Sequence, residues 1–234
     1  VYIRSIGKEM FTPGTPSFGF GAEDFAAYLE EFYDLYETEA VINSAEFDGD
    51  VDGSMWEDNK LWMKFVGQHS NEIVAEEEGS GKELYLCCNP SDDNAQVSGT
   101  YLKPVMLWGI SSTSANKDLA AEFINYFVND SYVYQVCGTD RGIPISASMR
   151  KYIEENGSEL DQRISEFISF LSNGVATEIS APAPTGATEA KVCLGEVMEQ
   201  LYYGQLGREE LLDAAASAIE EGNAVLESAS ASQE

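Results

Sequence analysis

Apolar residues recur at helical spacing along much of the chain. In residues 117–128, Leu119, Phe123 and Phe127 fall at positions i, i+4 and i+8 and therefore share one face of a helix. An acidic first turn at Glu23 and Asp24 opens another such pattern, which suits the positive end of a helix dipole. The same periodicity predicts helices over residues 23–36, 117–128, 131–137, 149–156, 159–172, 188–203 and 208–227.

Three other stretches favour strands. Residues 1–11 alternate between apolar and polar positions, and residues 83–88 read ELYLCC. The run Val105–Leu107 is nearly continuous in apolar residues, which is typical of a strand buried on both faces. It ends near Gly109 and leads into the helix of residues 117–128, for which Ser114 or Asn116 can serve as the cap. We therefore expect a mixed α/β chain.

Composition and charge exclude several classes of function. The 234 residues are 44% hydrophobic, which indicates a globular protein, and the formal net charge is -28. Such a charge repels phosphate backbones and anionic lipid headgroups, so nucleic-acid and membrane-surface roles are disfavoured. The chain also lacks a P-loop and a GxGxxG motif after a strand, and we expect no cofactor.

The four cysteines leave two readings open. Cys87 and Cys88 are adjacent, while Cys137 and Cys193 lie far apart in the sequence. No spacing corresponds to a zinc site or to a CxxC redox pair. One or two disulfides and buried free thiols are both compatible with this pattern.

One acidic stretch resembles part of a calcium-binding loop. In FDGDVDGSMWEDN, Asp48, Asp50 and Asp52 occupy alternate positions and Gly53 follows, as at positions 1, 3, 5 and 6 of an EF-hand loop. Position 12 is Asn59 instead of a bidentate Glu. The stretch is thus a weak calcium candidate, and an acidic, Gly-rich turn is the alternative.

The order of motifs in the second half of the chain resembles a known family. LWGISSTSANKDLAAEFINYFVND (107–130), GTDRGIPIS (138–146), SAPAPTG (180–186) and LYYGQLGREELLDAAASAIEEGNAVL (201–226) are similar to the C-terminal half of extracytoplasmic solute-binding proteins of ABC importers. The resemblance is to family 1, the maltose-binding-protein-like, carbohydrate type. It implies an α/β fold with two lobes, of the type II periplasmic-binding-protein architecture, and a helix-rich C-terminal half.

The resemblance also implies a domain organisation. Residues 1–105 correspond to an α/β part of the second lobe, 106–148 to a crossing strand with a first-lobe segment, 149–227 to a helical part of the second lobe and 228–234 to a tail. On this basis we expect most of the first lobe to lie outside the 234 residues, and the face of Leu119, Phe123 and Phe127 to be left uncovered.

The function implied by the resemblance is capture of a sugar or oligosaccharide and its delivery to ABC permease subunits. The location implied is extracytoplasmic, as a cell-surface lipoprotein or a periplasmic protein. Trp and Tyr rings suit the C–H faces of sugars, and planar polar groups suit their hydroxyls. The candidate ligand contacts are Trp56, Trp62, Gln68, His69, Ser70, Trp108 and Arg141.

Each candidate has an ordinary structural explanation. Trp108 ends a predicted strand at the crossing between lobes, but core packing would also explain it. His69, with Gln68 and Ser70, lies in a loop and could simply be solvated, and Arg141 could pin its own loop by a salt bridge. Two other functions stay open: a secreted, calcium-dependent scaffold module, and an extracellular glycan-active enzyme using a pair of carboxylates. We expect a binding protein and not an enzyme.

Overall fold

Close contacts divide the protein into two compact units. The structure is a computed structural model and describes residues 1–41, 63, 79–89, 91, 95, 97–103, 106–139 and 142–232. Unit 1 comprises Val1–Ser54, Asn89–Thr100 and Glu178–Glu234, and unit 2 comprises Met55–Cys88 and Tyr101–Thr177. The boundary at Glu178 lies inside the predicted helical part 149–227. The assignment of ranges to lobes stays a prediction.

Helices dominate the described residues. They are α1 (Tyr2–Ser5), α2 (Ala22–Glu37), α3 (Lys117–Asn129), α4 (Ser131–Cys137), α5 (Ala147–Asn156), α6 (Glu159–Phe170), α7 (Ala187–Tyr202) and α8 (Leu211–Ala231). A π-helical turn, Leu171–Val175, extends α6, and a 3-10 turn, Arg208–Glu210, precedes α8. The predicted helices are therefore confirmed to within a few residues at each end. The tail predicted at 228–234 is wrong in part, because α8 continues through Ala231.

The core of unit 1 lies between α2, α7 and α8. Each helix presents an apolar stripe at helical spacing, and Leu29, Leu201, Leu211 and Leu226 are fully buried between them. Burial of a leucine side chain contributes about 1.5–3 kcal/mol relative to its exposure. These four leucines therefore hold the three helices together.

Gly222 allows an especially close approach in this core. A Cβ at this position of α8 would overlap the Phe18 ring and would lie 3.1 Å from the carbonyl oxygen of Ala190 on α7. The neighbouring Asn223 accepts a hydrogen bond from the backbone N–H of Phe18 at 2.8 Å through its Oδ1. The N-terminal loop is thus fixed against α8 by shape and by one polar contact.

The strand predicted at residues 1–11 is wrong. Residues 2–5 form the short helix α1, in which the Ser5 N–H donates to the carbonyl of Val1 at 3.0 Å and the Ser5 hydroxyl donates to that of Tyr2 at 2.7 Å. Tyr2 packs against Tyr28 of α2, with ring centroids 5.2 Å apart. Contact with α2 decides the local structure here, where the alternation of apolar residues was too short to do so.

Much of the buried apolar surface of unit 2 comes from α5 and α6. Met149 and Ile153 of α5 and Leu160 and Ile164 of α6 are buried. In contrast, neither α3 nor α4 contains a buried residue. The apolar stripe of α3 is therefore open, as expected from the sequence.

Residues 82–89 show the alternation of a strand without its pairing. Leu84 and Leu86 pack against Leu160 and Ile164, whereas Tyr85 between them is 85% exposed. Pairing among the described residues is limited to isolated bridges, Phe11 with Phe18 and Tyr101 with Thr177. The strand predicted at 83–88 is therefore confirmed in its alternation and not in a ladder. The α/β, two-lobe architecture remains a prediction.

The doubly buried strand predicted at Val105–Leu107 is wrong for the residues that the structure describes. Met106, Leu107 and Trp108 are exposed, Leu107 by 87%. Burial on both faces requires neighbouring strands and a layer on each side. The described part of unit 2 provides neither at this position, so Met106 and Leu107 face solvent.

Candidate functional site

The structure locates one of the predicted ligand contacts, Trp108. The other candidates lie outside the described residues: Trp56, Trp62, Gln68, His69, Ser70 and Arg141. The calcium candidates Asp48, Asp50 and Asp52 lie outside them as well. The site is therefore built from Trp108 and its surroundings in unit 2.

Trp108 belongs to an aromatic cluster with Phe123 and Phe127. Its ring centroid lies 4.7 Å from that of Phe127 and 6.0 Å from that of Phe123, with interplanar angles of 58° and 78°. The two phenylalanines are one helical turn apart on α3, and their ring centroids are 6.1 Å apart. Tilted and edge-on contacts of this kind are favourable for aromatic rings. These contacts hold the indole in a defined position against α3.

The indole is held but not buried. Trp108 remains 51% exposed although two rings pack against it. The core-packing explanation therefore accounts for part of the side chain and leaves the rest open to solvent. An exposed aromatic surface with a fixed orientation is suited to contact the apolar face of a ligand.

A shallow, open groove continues from the aromatic cluster along α3. Its lining combines apolar side chains with polar groups at the rim: Ser114, Asn116, Leu119, Ala120, Glu122, Phe123 and Tyr126. Leu119, Phe123 and Tyr126 are exposed large apolar residues. Ligand sites in proteins are commonly apolar surfaces with a few polar groups that fix orientation. The groove has this composition, with Glu122 as its charged member.

The rim of the groove is ordered by local hydrogen bonds. The Ser114 hydroxyl oxygen accepts from the N–H of Asn116 at 3.2 Å, and the Ser114 N–H donates to the carbonyl of Ser111 at 3.1 Å. Asn116 is the N-cap residue of α3, but its side chain makes no capping hydrogen bond. The side-chain amide of Asn116 is thus not used to cap α3, and Asn116 is one of the residues that line the groove.

A polar cluster on Asp161 was missed by the sequence analysis. Its carboxylate accepts hydrogen bonds from the hydroxyls of Tyr134 at 3.0 Å, Thr139 at 3.0 Å and Ser158 at 2.8 Å. Tyr134 lies in α4, Thr139 lies two residues after its end and Ser158 is the N-cap residue of α6, so the cluster joins the end of α4 to the start of α6. The signal was present as Ser-x-x-Asp at residues 158–161, a pattern that marks a helix N-terminus.

The same cluster changes the acidity of Tyr134. Burial, followed by the hydrogen bond to Asp161 and the negative charge of that residue, raises the pKa of Tyr134 to about 12. A phenol that donates to a carboxylate loses its hydrogen bond when it ionises. Tyr134 therefore acts as a hydrogen-bond donor and not as a base at neutral pH.

Groups of three or more His, Cys, Asp or Glu side chains that could hold a metal ion do not occur among the described residues. All four cysteines are free thiols in the structure, but they are not buried as expected, since Cys87 is exposed and the other three are half-buried. Within the described part of the chain, helices long and apolar enough to cross a membrane are absent.

The fold is similar to that of known proteins. No protein-family model matches the chain. Among solved structures, an extracellular solute-binding protein family 1 from Alicyclobacillus acidocaldarius subsp. acidocaldarius DSM 446 matches with a TM-score of 0.77 and 20% identity, over 96% of this chain and 56% of its own. A de novo designed cysteine esterase matches with a TM-score of 0.74 and 14% identity, over 97% of this chain and 56% of its own. The protein thus has a fold similar to that of an extracellular solute-binding protein, and it spans 56% of the length of each of these two structures.

Proposed function

We propose that this protein is the ligand-capturing part of an extracytoplasmic solute-binding protein. The observation that carries the proposal is the similarity of fold to an extracellular solute-binding protein over 96% of the chain. Capture without chemical change is the activity that we assign to the protein.

The ligand class in this proposal is a sugar or an oligosaccharide. Sugar rings present C–H faces that pack on aromatic surfaces and hydroxyls that pair with planar polar groups. The half-exposed indole of Trp108 provides an aromatic surface for the C–H faces. Asn116 and Glu122 at the groove rim provide planar polar groups for the hydroxyls. The remaining candidates are proposed to add further contacts: Trp56, Trp62, Gln68, His69, Ser70 and Arg141.

The partners in this proposal are a further lobe and the membrane permease. The open stripe of α3 would pack against the rest of the first lobe, with residues 106–148 as the segment that enters it. Residues 1–105 and 149–227 would belong to the second lobe. The assembled protein would deliver its ligand to ABC permease subunits from the extracytoplasmic side, either as a lipoprotein or as a periplasmic protein.

Calorimetric titration with a panel of neutral mono- and oligosaccharides tests the proposal. We expect one sugar class to bind saturably and to raise the midpoint of thermal unfolding, because a ligand that binds the native state stabilises it. Chromatography of the recovered sugar should show that it is unchanged. Release of a product would support the glycan-active enzyme instead.

A calcium titration distinguishes the calcium-dependent scaffold module from the solute-binding protein and the glycan-active enzyme. Chelator-stripped protein that binds no sugar but shows heat and added thermal stability with calcium would favour the scaffold module. Protein that responds to neither sugars nor calcium would contradict both binding proposals. A sugar response that is independent of calcium supports solute capture.

A further inference from the structure

Cys87 differs from the other three cysteines in its exposure, and Cys88 is adjacent to it in the sequence. All four thiols are free, and Cys87 is the exposed one while Cys88 is half-buried. Their exposure continues the alternation of residues 82–89, so the two side chains leave the segment on opposite sides. The result is an accessible thiol with a second thiol directly beside it in the sequence.

The segment before these cysteines is anchored to α6. Leu84 and Leu86 pack against Leu160 and Ile164, and Arg163 donates from Nη1 to the carbonyl oxygen of Leu84 at 2.8 Å. The backbone of residues 85–88, by comparison, makes no hydrogen bond with the described part of the chain. The anchor therefore ends at Leu86, and the two cysteines follow it without a backbone hydrogen bond to the described residues.

We propose that Cys87 and Cys88 form a thiol–disulfide exchange site, which low-molecular-weight disulfides oxidise reversibly to a disulfide between the two neighbouring residues. The exposed Cys87 thiolate attacks one sulfur of the small disulfide. The other sulfur of that reagent leaves as a thiolate and takes up a proton. Cys88 then attacks Sγ of Cys87 as a thiolate and displaces the second half of the reagent, which also leaves as a thiol.

The reaction balances without a further reagent. Two protein thiols become one disulfide, and one small disulfide becomes two small thiols. The protein loses two electrons and two protons, and the reagent gains both. The chemical class of the partner is therefore a soluble disulfide such as oxidised glutathione.

The product is strained, and this makes the site reversible. Adjacent Cα atoms are about 3.8 Å apart across a trans peptide bond, whereas disulfides usually join Cα atoms about 4.4–6.8 Å apart. Strained and exposed disulfides are more easily reduced than structural ones. The bond should therefore form under oxidising conditions and open again when a reducing thiol is in excess.

The other cysteines should not compete in this reaction. Cys137 and Cys193 are half-buried and distant in sequence from any second cysteine. Burial, and then the negative charges of Glu221 and Glu196, raises the pKa of the Cys193 thiol. A raised pKa lowers the fraction of thiolate, which is the reactive form.

Oxidation would also change the packing of residues 82–89. The two sulfur atoms lie on opposite sides of the segment and must meet on one side to form the bond. Cys88 is the residue that turns, since Cys87 is already exposed. This rotation should displace Leu86 from its contact with α6. Oxidation should therefore loosen residues 82–89.

The test uses oxidised glutathione as the probe and mass spectrometry as the readout. Protein treated with the probe is alkylated and digested with trypsin. Cleavage after Lys82 and Lys117 gives a peptide that contains Cys87 and Cys88 and no other cysteine, because Lys103 precedes Pro104. We expect this peptide to lack two hydrogen atoms and to carry neither alkyl group nor glutathione.

Single variants separate the two steps. Cys88→Ser should stop the reaction at a glutathione adduct on Cys87, and Cys87→Ser should react more slowly because the remaining thiol is half-buried. Cys193→Ser should behave like the wild type. A wild-type peptide that keeps the adduct on Cys87, or in which both thiols remain alkylated, overturns the proposal. So does a disulfide that survives an excess of reduced glutathione.

Discussion

The indole of Trp108 lies against the phenyl ring of Phe127, with ring centroids 4.7 Å apart. Phe123 supports the indole from the preceding turn of α3 at 6.0 Å. Half of Trp108 nevertheless stays exposed. A side chain that is already oriented loses less conformational entropy when it contacts a ligand. The packing of Trp108 thus favours a role in recognition, although it does not by itself select the ligand.

Replacement of Trp108 by Ala should weaken sugar binding. Loss of an aromatic contact of about 0.5–1.5 kcal/mol, together with its buried area, corresponds to roughly a tenfold or larger rise in Kd. Calorimetric titration measures the effect. Tyr203→Ala is the matched control, because Tyr203 is similarly exposed but belongs to unit 1. If Trp108→Ala is folded by circular dichroism and binds as well as the wild type, Trp108 is not a ligand contact.

Gly222→Ala should destabilise unit 1. The added methyl group would overlap the Phe18 ring and lie 3.1 Å from the Ala190 carbonyl oxygen, which forces the N-terminal loop or α7 to move. Overpacking of this kind costs about 1–3 kcal/mol. Urea unfolding followed by circular dichroism measures the change in the free energy of unfolding.

Gly195→Ala is the control for this substitution. Gly195 lies in α7, and a Cβ there would meet no atom within 4 Å. Alanine is favoured over glycine in a helix by roughly 0.5–1 kcal/mol. We therefore expect opposite signs for the two glycines. Equal effects would show that the contact with Phe18 does not limit the packing.

Asp161→Asn should lower the pKa of Tyr134 from about 12 toward its ordinary value of 10.0. The substitution removes the negative charge and weakens the hydrogen bond, while the contribution of burial remains. NMR titration of ring-labelled tyrosine, with Tyr134→Phe to assign the signal, measures the shift. Thr139→Val is the control, since it removes a different donor to Asp161 and should leave the pKa of Tyr134 raised.

The raised pKa of Tyr134 predicts that the free energy of unfolding depends on pH in the alkaline range. The pKa of Tyr134 is higher in the folded protein than in the unfolded chain, so the folded state keeps its proton longer. Between pH 10 and about 12 the free energy of unfolding should therefore fall as pH rises. Tyr134→Phe should reduce this slope in alkaline unfolding curves. An unchanged slope would mean that other groups cause it.

Arg163→Met should loosen residues 82–89. It removes the hydrogen bond to the Leu84 carbonyl at 2.8 Å, and hydrogen bonds from charged groups contribute about 1.5–3 kcal/mol. Limited proteolysis with chymotrypsin should then cleave faster after Tyr85. Lys151→Met is the control, because the pair of Lys151 with Glu155 is exposed and 3.8 Å long. Equal cleavage rates in both variants would contradict the anchoring role of Arg163.

Helices could be predicted from the sequence because their signals are local. The stripes of α7 and α8 repeat over several turns, and each helix satisfies its own backbone hydrogen bonds. Strand predictions depended on partners that periodicity does not reveal. The alternation at 83–88 was found correctly, but pairing was not, and the apolar run at Val105–Leu107 proved exposed over Met106 and Leu107 where burial was expected.

The site was predictable only in part. Trp108 was identified from its position after an apolar run. Its packing against Phe123 and Phe127, however, depends on the placement of α3, which the sequence does not specify. Asp161 was overlooked, since its partners Tyr134 and Thr139 come from other elements more than twenty residues away. A pattern within one segment cannot indicate such a convergence.

The lack of buried residues in α3 and α4 has a consequence for the order in which the protein opens. Amide hydrogens in these two helices are protected by their own backbone bonds and by little packing, so they should exchange with solvent through local opening. Those of α7 and α8, around Leu201 and Leu211, should exchange only when their unit unfolds as a whole. Kinetic protection should thus differ between these helices and be lower in α3 and α4 than in α7 and α8.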